Sequence, residues 1–538
     1  DGTASGTVMV ADIRSGSGGS YSYQATAFGN TLYLRATDGT NGYELWKSDG
    51  TASGTVMVSD INSGSGSSSA PGGLIVAGTT LFFDANDGTN GRELWALDPA
   101  NITGLSSGSS SSSAIVYANN KVGVGELHTC AILDNGDVKC WGFNQQGQLG
   151  NGATSLFAQN TPSSTAIDLG TGRTAVAIST GSTHNCALLD NGDMKCWGRD
   201  SYGQLGDDIN SANQLSPVSI DFGTGRTAVA ISADYYRTCA ILDNGDLKCW
   251  GRGDNGQLGI GTTNDEYTPP STPIDLGPGR TAVAVDGGFM HVCAILDNGD
   301  LKCWGQNFAG ELGIYIPSIG NNNPTKSIPP STPIDLGSGR TALAVSAGSY
   351  HACAILDNGD LKCWGYDNYG QLGDGGGNTN TYTYIPTAVD LGAGRTAVAV
   401  SAAQDYTCAI LDNGELKCWG RDIYGRLGDG GTNTDTNAPS TAIDLGTGRT
   451  AVAFSAHSGH TCVILDNNEM KCFGRNDYGQ LGDGGSNTDQ GSPVAVSGSN
   501  TWDSSTGASS GSGGMTNVTG GTSCVATPSL PTGLSIDS

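Results

Sequence analysis

The sequence predicts an all-β protein assembled from seven repeated units. Two cysteines ten positions apart return seven times, each pair brackets an Asp-Asn turn, and the flanking apolar runs are short and β-prone. The pairs are Cys130 with Cys140, Cys186 with Cys196, Cys239 with Cys249, Cys293 with Cys303, Cys353 with Cys363, Cys408 with Cys418, and Cys462 with Cys472. Their first members follow at intervals of 53 to 60 residues, and a period of that size points to stacked or radially arranged units.

The hairpin inside each pair comes first. In Cys130-Ala-Ile-Leu-Asp-Asn-Gly-Asp-Val-Lys-Cys140, Asp134-Asn135-Gly136 reads as a three-residue loop, a type I turn followed by a left-handed residue. That register sets Leu133 opposite Asp137 and Cys130 opposite Cys140, as a non-hydrogen-bonded pair with Cα atoms about 4.5 Å apart. Such a pair can be bridged. The left-handed position holds Gly136, Gly192, Gly245, Gly299, Gly359 and Gly414, and in the seventh copy Asn468, which tolerates that conformation next best. Zinc is the rival reading of paired thiols, but structural zinc sites space cysteines two to four residues apart and need four ligands. Seven disulfides are therefore expected. They imply an oxidising compartment and an extracellular location, secreted or at a cell surface.

The rest of the unit follows. In the second copy Gly170-Thr-Gly-Arg-Thr-Ala-Val-Ala-Ile178 precedes the hairpin, and Trp197-Gly198, Gly203-Gln-Leu-Gly206 and Ser216-Pro-Val-Ser-Ile220 come after it. Three or four β-rich runs bounded by Gly, Asn and Asp turns make one blade of a small antiparallel sheet. The first copy is preceded by Ser/Gly-rich chain, while the last carries an additional Ser492-Pro-Val-Ala-Val496. That segment is expected to complete the first blade and close a ring, which removes an open sheet edge.

These units resemble the regulator of chromosome condensation repeat in their Gly-x-x-His start, their Trp-Gly pair and their Gly-Gln-Leu-Gly turn. The Trp-Gly pair stands at Trp141, Trp197, Trp250, Trp304, Trp364 and Trp419, with Phe473 in the seventh copy. The resemblance covers about residues 113–498 and implies a seven-bladed β-propeller.

The flanks divide the remainder of the chain. Residues 1–103 hold two β-rich units, the first incomplete, in which Glu44-Leu-Trp46 recurs as Glu93-Leu-Trp95. They resemble the Glu-Leu-Trp repeats of large microbial surface proteins. A Ser/Gly linker spans 104–113, the propeller 114–498, and a second linker 499–521. Residues 522–538 resemble the opening of an immunoglobulin-like, cadherin-like domain. The chain opens inside a repeat with no initiator Met, as a fragment or processed segment would.

Charge and candidate sites bound the function. A net charge of −26 with 25 Lys and Arg leaves no phosphate-backbone footprint, so nucleic acid is excluded as a partner. No apolar run is long enough to span a membrane. Five of the six histidines (His128, His184, His291, His351, His460) sit two residues before a first cysteine, and Arg237 and Tyr406 take that place in copies three and six. A shared metal centre would not lose two of seven members, so the histidines are read as structural and no metal site is assigned. Arg173, Arg226, Arg280, Arg340, Arg395 and Arg449 recur once per unit and are expected to pair with an Asp of the same turn rather than bind an anion. Calcium is a cofactor candidate in the N-terminal units only, without a nameable site. No nucleophile elbow, zinc-protease helix or phosphate loop is present, so no catalytic residue is assigned and the chain is not read as an enzyme. What varies between copies is the segment after Gly-x-Leu-Gly, which makes Tyr315, Ile316, Tyr382 and Tyr384 the candidate binding residues. The expected function is a non-catalytic propeller module of a large microbial secreted or surface protein, binding an extracellular protein or glycan in adhesion. The alternatives are a secreted enzyme inhibitor, since a bacterial β-lactamase-inhibitory protein shares the propeller family, and a glycan-acting enzyme.

Overall fold

The computed structural model describes residues 121–504, apart from 209–211, 315–325, 377–381, 432, 440 and 499, and residues 10–97 in segments. The two regions are separate compact units. Tyr315 and Ile316, the Ser/Gly linker 104–113 and the C-terminal segment 522–538 lie outside the described residues.

In the N-terminal unit, strands Tyr23–Phe28, Thr31–Ala36, Glu44–Ser48 and Val56–Ser59 form one antiparallel sheet. Gly72–Ala77, Thr80–Asn86 and Arg92–Leu97 form another. Glu44 of the Glu-Leu-Trp motif is buried, and its carboxylate accepts the N–H groups of Ile61 at 3.1 Å and Ser69 at 2.8 Å. A buried carboxylate is tolerated when such donors satisfy it, so this motif glutamate ties the two repeats together.

Residues 121–504 form seven antiparallel sheets, the blades of a propeller. Blade 2 shows the plan, with Ala175–Thr180 innermost, then His184–Leu189, Met194–Gly198 and Gln214–Ser219 at the rim. Innermost strands of neighbouring blades contact one another from blade 1 round to blade 7 and back to blade 1. In blades 2 to 7 their Ala-x-Ala composition suits that crowding, because small side chains let the blades converge on the axis.

The hairpin register is the expected one in every blade. Cys140 lies opposite Cys130, and the Leu133 N–H donates to Asp137 O at 2.8 Å. Cys196 lies opposite Cys186, Cys249 opposite Cys239, Cys303 opposite Cys293, Cys363 opposite Cys353, Cys418 opposite Cys408 and Cys472 opposite Cys462. All seven pairs are joined, with Cα atoms 4.0–4.1 Å apart, somewhat closer than the spacing expected of the unbridged pair. The cysteines are buried, Cys249 and Cys303 completely and Cys418 to 8% exposure, so the bridges are part of the blade core. At the turn, Gly136 has φ 82° and Asn468 φ 65°.

The closure differs from expectation. Gln490–Ala495 does not complete blade 1; it pairs with the third strand of blade 7, Lys471 opposite Ala495 and Cys472 opposite Val494. That free edge lies immediately beside it in the chain, so pairing there needs only a short loop. The ring is closed by Thr501–Asp503 instead, which carries the propeller's contacts past 498. Trp502 bridges Leu133, and the Asp134 N–H donates to Thr501 O at 3.1 Å, as the Asp190 N–H donates to Thr174 O in blade 2. The innermost strand of blade 1 is thus composite. Its first residues come from the C-terminal end and the rest is Val122–Val124. Lys121 Nζ and Asp503 Oδ2, 2.8 Å apart and mostly buried, seal the break between the two pieces.

Candidate functional site

Each blade has two ends. The lower face carries the Asp-Asn-Gly-type hairpins and the Gly-x-Gly-Arg turns. The upper face carries the turns between the first two strands and the loops that follow Gly-x-Leu-Gly.

On the lower face, Arg173, Arg226, Arg280, Arg340, Arg395 and Arg449 pair at 3.2–3.5 Å with Asp190, Asp243, Asp297, Asp357, Asp412 and Asp466. The partner belongs to the adjoining cysteine hairpin of the same blade, not to the arginine's own turn. The pairing serves blade structure and leaves no ring of free guanidiniums among these six.

Four of the five repeated histidines join one blade to the next, while the ring nitrogens of His291 are buried without a hydrogen-bond partner among the described residues. His128 Nε2 lies 2.9 Å from Asn185 Oδ1, His184 Nε2 3.0 Å from Thr238 Oγ1, His351 Nε2 2.8 Å from Thr407 Oγ1 and His460 Nε2 2.8 Å from Thr129 Oγ1. The threonine hydroxyls donate their single hydrogen to the carbonyls of Gln204, Gln371 and Gln480, each at 2.8 Å. Each threonine must therefore accept from the imidazole, which fixes a hydrogen on Nε2. Burial keeps the rings neutral, pushing His128 down to about 4 and His184 and His351 down to about 3. Two of these carbonyls also receive indole N–H groups, Trp141 at 2.9 Å to Gln480 and Trp419 at 3.1 Å to Gln371, and Gln148 O accepts from both Trp197 Nε1 at 3.1 Å and Asn185 Nδ2 at 2.7 Å. A Cβ at Gly150 would lie 2.8 Å from Trp197 Nε1, which is why that turn ends on glycine. The Trp-Gly pair and the Gly-x-Leu-Gly turn are thus two halves of one joint between blades.

The two copies without histidine are rebuilt by coupled changes. Buried Arg237 pairs with Asp234 at 3.0 Å and donates to the carbonyls of Gly288 and His291 in blade 4. Tyr406 donates to His460 O at 2.9 Å, and Arg426, in the Gly-x-Leu-Gly turn of its own blade, stacks over it at 4.7 Å.

The upper face is what remains. Tyr235, from the first turn of blade 3, lies across the axis. Its hydroxyl meets Ser349 Oγ of blade 5 at 2.5 Å, and its ring lies 4.9 Å from His457 of blade 7 and 4.9 Å from Phe289 of blade 4. Contacts with two non-adjacent blades place this side chain on the axis, where it closes the opening. Around it the blades carry a belt of stacked arginines and aromatics. Arg252 lies 5.3 Å over Tyr202 and 5.8 Å over Tyr236, Arg199 5.5 Å over Tyr236, Arg421 4.4 Å over Tyr369 and Arg475 5.2 Å over Tyr424. Tyr478 packs against Phe143 at 4.8 Å, and Phe308 is 68% exposed. The stacked groups are half-buried and held in place, yet open to a partner.

Of the residues singled out from the sequence, Tyr382 and Tyr384 lie on the outermost strand of blade 5, rings 5.6 Å apart. Tyr382 sits opposite Tyr366, at the rim of the upper face, and Tyr384 borders Gly310 of blade 4. The arginine–aromatic belt was not singled out from the sequence. Its signal was there, an Arg or aromatic two residues after most Trp-Gly tryptophans and a Tyr before several Gly-x-Leu-Gly turns, but only the fold brings these positions together.

A family model described as an RCC1-like domain matches residues 222–516, and models of the regulator of chromosome condensation (RCC1) repeat match 120–148, 175–204 and 135–188. The ultraviolet-B receptor UVR8 of Arabidopsis thaliana is 29% identical over 367 residues, 68% of this chain and 79% of that protein. The human E3 ubiquitin-protein ligase HERC2 is 25% identical over 367 residues, 67% of this chain but 7% of the ligase. Among solved structures, yeast RCC1 (Prp20) in its complex with Kap60 is similar at TM-score 0.60 and 17% identity, covering 78% of this chain and 97% of that one. Human WBSCR16 is similar at TM-score 0.58 and 18% identity, covering 70% and 96%.

Proposed function

Because the chain belongs to the family of RCC1-like domains, we propose that it is a non-catalytic propeller module that binds a protein partner through its upper face, as part of a secreted or surface-displayed protein acting in adhesion. The observation that carries this reading is the arginine–aromatic belt around Tyr235. Tyr and Arg are the residues in which interface binding energy concentrates. Holding them in stacked pairs before contact reduces the side-chain entropy lost on binding. Four of the five repeated histidines and the six lower-face arginines are engaged in blade structure. The relatives support a binding role over chemistry, since a light receptor and a ubiquitin ligase share this domain while their named activities differ. The extracellular setting rests on the seven disulfides, each of which needs an oxidising compartment to persist.

The test compares two variants in binding to intact cells and to extracellular protein of the source. Tyr202→Ala/Tyr236→Ala/Arg252→Ala removes the densest part of the belt; Arg226→Ala/Arg340→Ala alters the lower face. The expected result is at least a tenfold loss for the first and little change for the second. Equal binding by both variants sinks the assignment of the face, and turnover of a glycan by the purified propeller sinks the non-catalytic reading.

A further inference from the structure

Six of the seven cysteine hairpins turn on an Asn-Gly pair, and the seventh on Asn467-Asn468. An Asn followed by Gly is open to intramolecular imide formation, because glycine has no side chain to shield its backbone nitrogen. In Asn135-Gly136, Asn191-Gly192, Asn244-Gly245, Asn298-Gly299 and Asn358-Gly359 the residue after glycine is Asp, and its carboxylate accepts from the asparagine Nδ2 at 2.7–2.8 Å. The backbone N–H of the same Asp donates back to the asparagine Oδ1 at 3.0–3.2 Å. Both ends of the side-chain amide are therefore held, one of them by a charge-assisted bond.

Blade 6 breaks the pattern. Glu415 follows Gly414 there, and its side chain is longer by one methylene. The Glu415 N–H still donates to Asn413 Oδ1 at 3.2 Å, but Asn413 Nδ2 has no acceptor among the described residues. The described Asn-Gly pairs outside the hairpins are better held. Asn41 Nδ2 donates to Asp38 and Asn255 Nδ2 to Asp254, each at 2.8 Å, while Asn151 Oδ1 accepts from both Asn144 and Ala153. Asn413 keeps one hydrogen bond between neutral groups, and it is exposed. The turn around it is otherwise the common one: the Gly414 N–H donates to Leu411 O at 2.9 Å, as the Gly136 N–H donates to Leu133 O. The missing carboxylate clamp is what sets blade 6 apart.

We infer that Asn413 is a site of spontaneous covalent modification, deamidating through a cyclic imide with Gly414, and that the Asp after each of the other five Asn-Gly pairs guards against the same reaction. The Gly414 nitrogen gives its proton to solvent base and attacks Asn413 Cγ. The N–Cγ bond forms, the Cγ–Nδ2 bond breaks, and the departing nitrogen takes up a proton and leaves as ammonia. Water then opens the five-membered imide at either carbonyl, leaving an aspartate or an isoaspartate. The side chain must leave its hydrogen bonds to bring Cγ onto the nitrogen, so one bond fewer raises the rate by about five- to tenfold. An isoaspartate adds an atom to a backbone that is pinned on both sides. The Asp412 N–H donates to Thr396 O, and Gly414 O accepts the Ala451 N–H of blade 7, each at 2.9 Å. A Cβ at Gly414 would lie 2.6 Å from Thr450 Cβ, so the turn has little room to absorb the extra atom. The modification thus loosens the lower face between blades 6 and 7. It rests on the hairpins alone and is independent of the upper face.

The experiment ages the whole folded chain for several weeks in mildly alkaline buffer, then reduces and digests it. Mass spectrometry follows the gain of one mass unit at each of the six hairpin asparagines, and fragmentation at the N–Cα bond tells isoaspartate from aspartate. Asn413 is expected to convert at least about fivefold faster than the other five, the rate equivalent of one hydrogen bond. Glu415→Asp is expected to slow it to their rate, and Asp300→Glu to raise Asn298 to the rate of Asn413. The reduced chain in urea is expected to convert all six at one rate, which identifies the folded clamp as the cause. Equal rates in the folded chain, no slowing in Glu415→Asp, or the same ranking in urea overturns the assignment.

Discussion

At the scale of single residues, the informative positions are those where one blade departs from the others. Asp286 occupies a place that is Ser179, Ser232, Ser346, Ser401 and Ser455 in five other blades. There Ser179 accepts the Ala233 N–H at 2.8 Å and Ser346 the Ala402 N–H at 2.9 Å; Asp286 accepts the Ala347 N–H at 2.8 Å in the same way. The hydrogen bond is kept, but a buried carboxylate replaces a hydroxyl, and burial raises its pKa well above the usual range. Glu311 likewise replaces a turn glutamine and is pushed up to about 7 by burial. For an acid raised in the folded state, stability is intact at low pH and is lost as pH rises through the folded pKa. Glu311→Gln should therefore raise the unfolding free energy by about 2 kcal/mol at pH 8 and by much less at pH 5, and Asp286→Ser should shift it in the same direction. Thermal melts at the two pH values decide it, and a loss of stability at pH 8 refutes the argument. The histidines carry the opposite sign. Their depressed pKa values mean that stability present above about pH 6.5 is withdrawn as pH falls toward 4. Nitrogen NMR should show His128, His184, His351 and His460 as neutral Nε2–H tautomers from about pH 5 to 8, and an imidazole titrating near 6.5 would show an unlatched blade.

At the scale of elements, the joint between blades is built from residues distant in sequence. Thr129 accepts from His460 and donates to the Gln480 carbonyl, which also receives the Trp141 indole N–H. Thr129→Val keeps the shape but leaves the histidine donor without its acceptor, at a cost of about 1–3 kcal/mol. Because this joint spans the seam between blades 7 and 1, the variant should open the ring before the blades melt. Hydrogen exchange would then show faster exchange at Val122–Val124 than in the inner strands of blades 2 to 6. Uniform exchange across the seven inner strands would place the weakest joint elsewhere.

At the scale of the whole molecule, a propeller is as secure as its closure. Trp502 is buried, packs 5.6 Å from Trp141 and donates its backbone N–H to Asn468 O at 3.1 Å, while Lys139 donates to Asn500 at 2.8 Å. Lys139 and Asn500 alone are 361 positions apart, and among the described residues nothing else fills the start of the first innermost strand. Ending the chain after Gly498 should lower the melting temperature sharply, and Trp502→Ala should cost about 3–5 kcal/mol. Ending it after Ser504 should leave the melting temperature of the propeller unchanged. Equal melting of the chains ending at 498 and 504 would refute the composite-strand clasp.

The sequence by itself determined the repeat, the hairpin register, the cysteine pairing pattern and the blade count, because each follows from interactions within about ten residues. A Gly or Asn at the left-handed turn position forces Cys130 opposite Cys140, and equally Cys239 opposite Cys249, Cys293 opposite Cys303 and Cys408 opposite Cys418, whatever surrounds the hairpin. It also marked the histidines as structural, through the two copies that lack them. The tertiary structure alone decided how the ring closes. Ser492–Val496 and Thr501–Asp503 are both short and strand-compatible, and the choice between them depends on which sheet edge lies free beside each once seven blades are in place. The same holds for the arginine–aromatic belt. Its members recur at fixed places in the repeat, but they come from different blades, and only convergence around the axis makes them a surface.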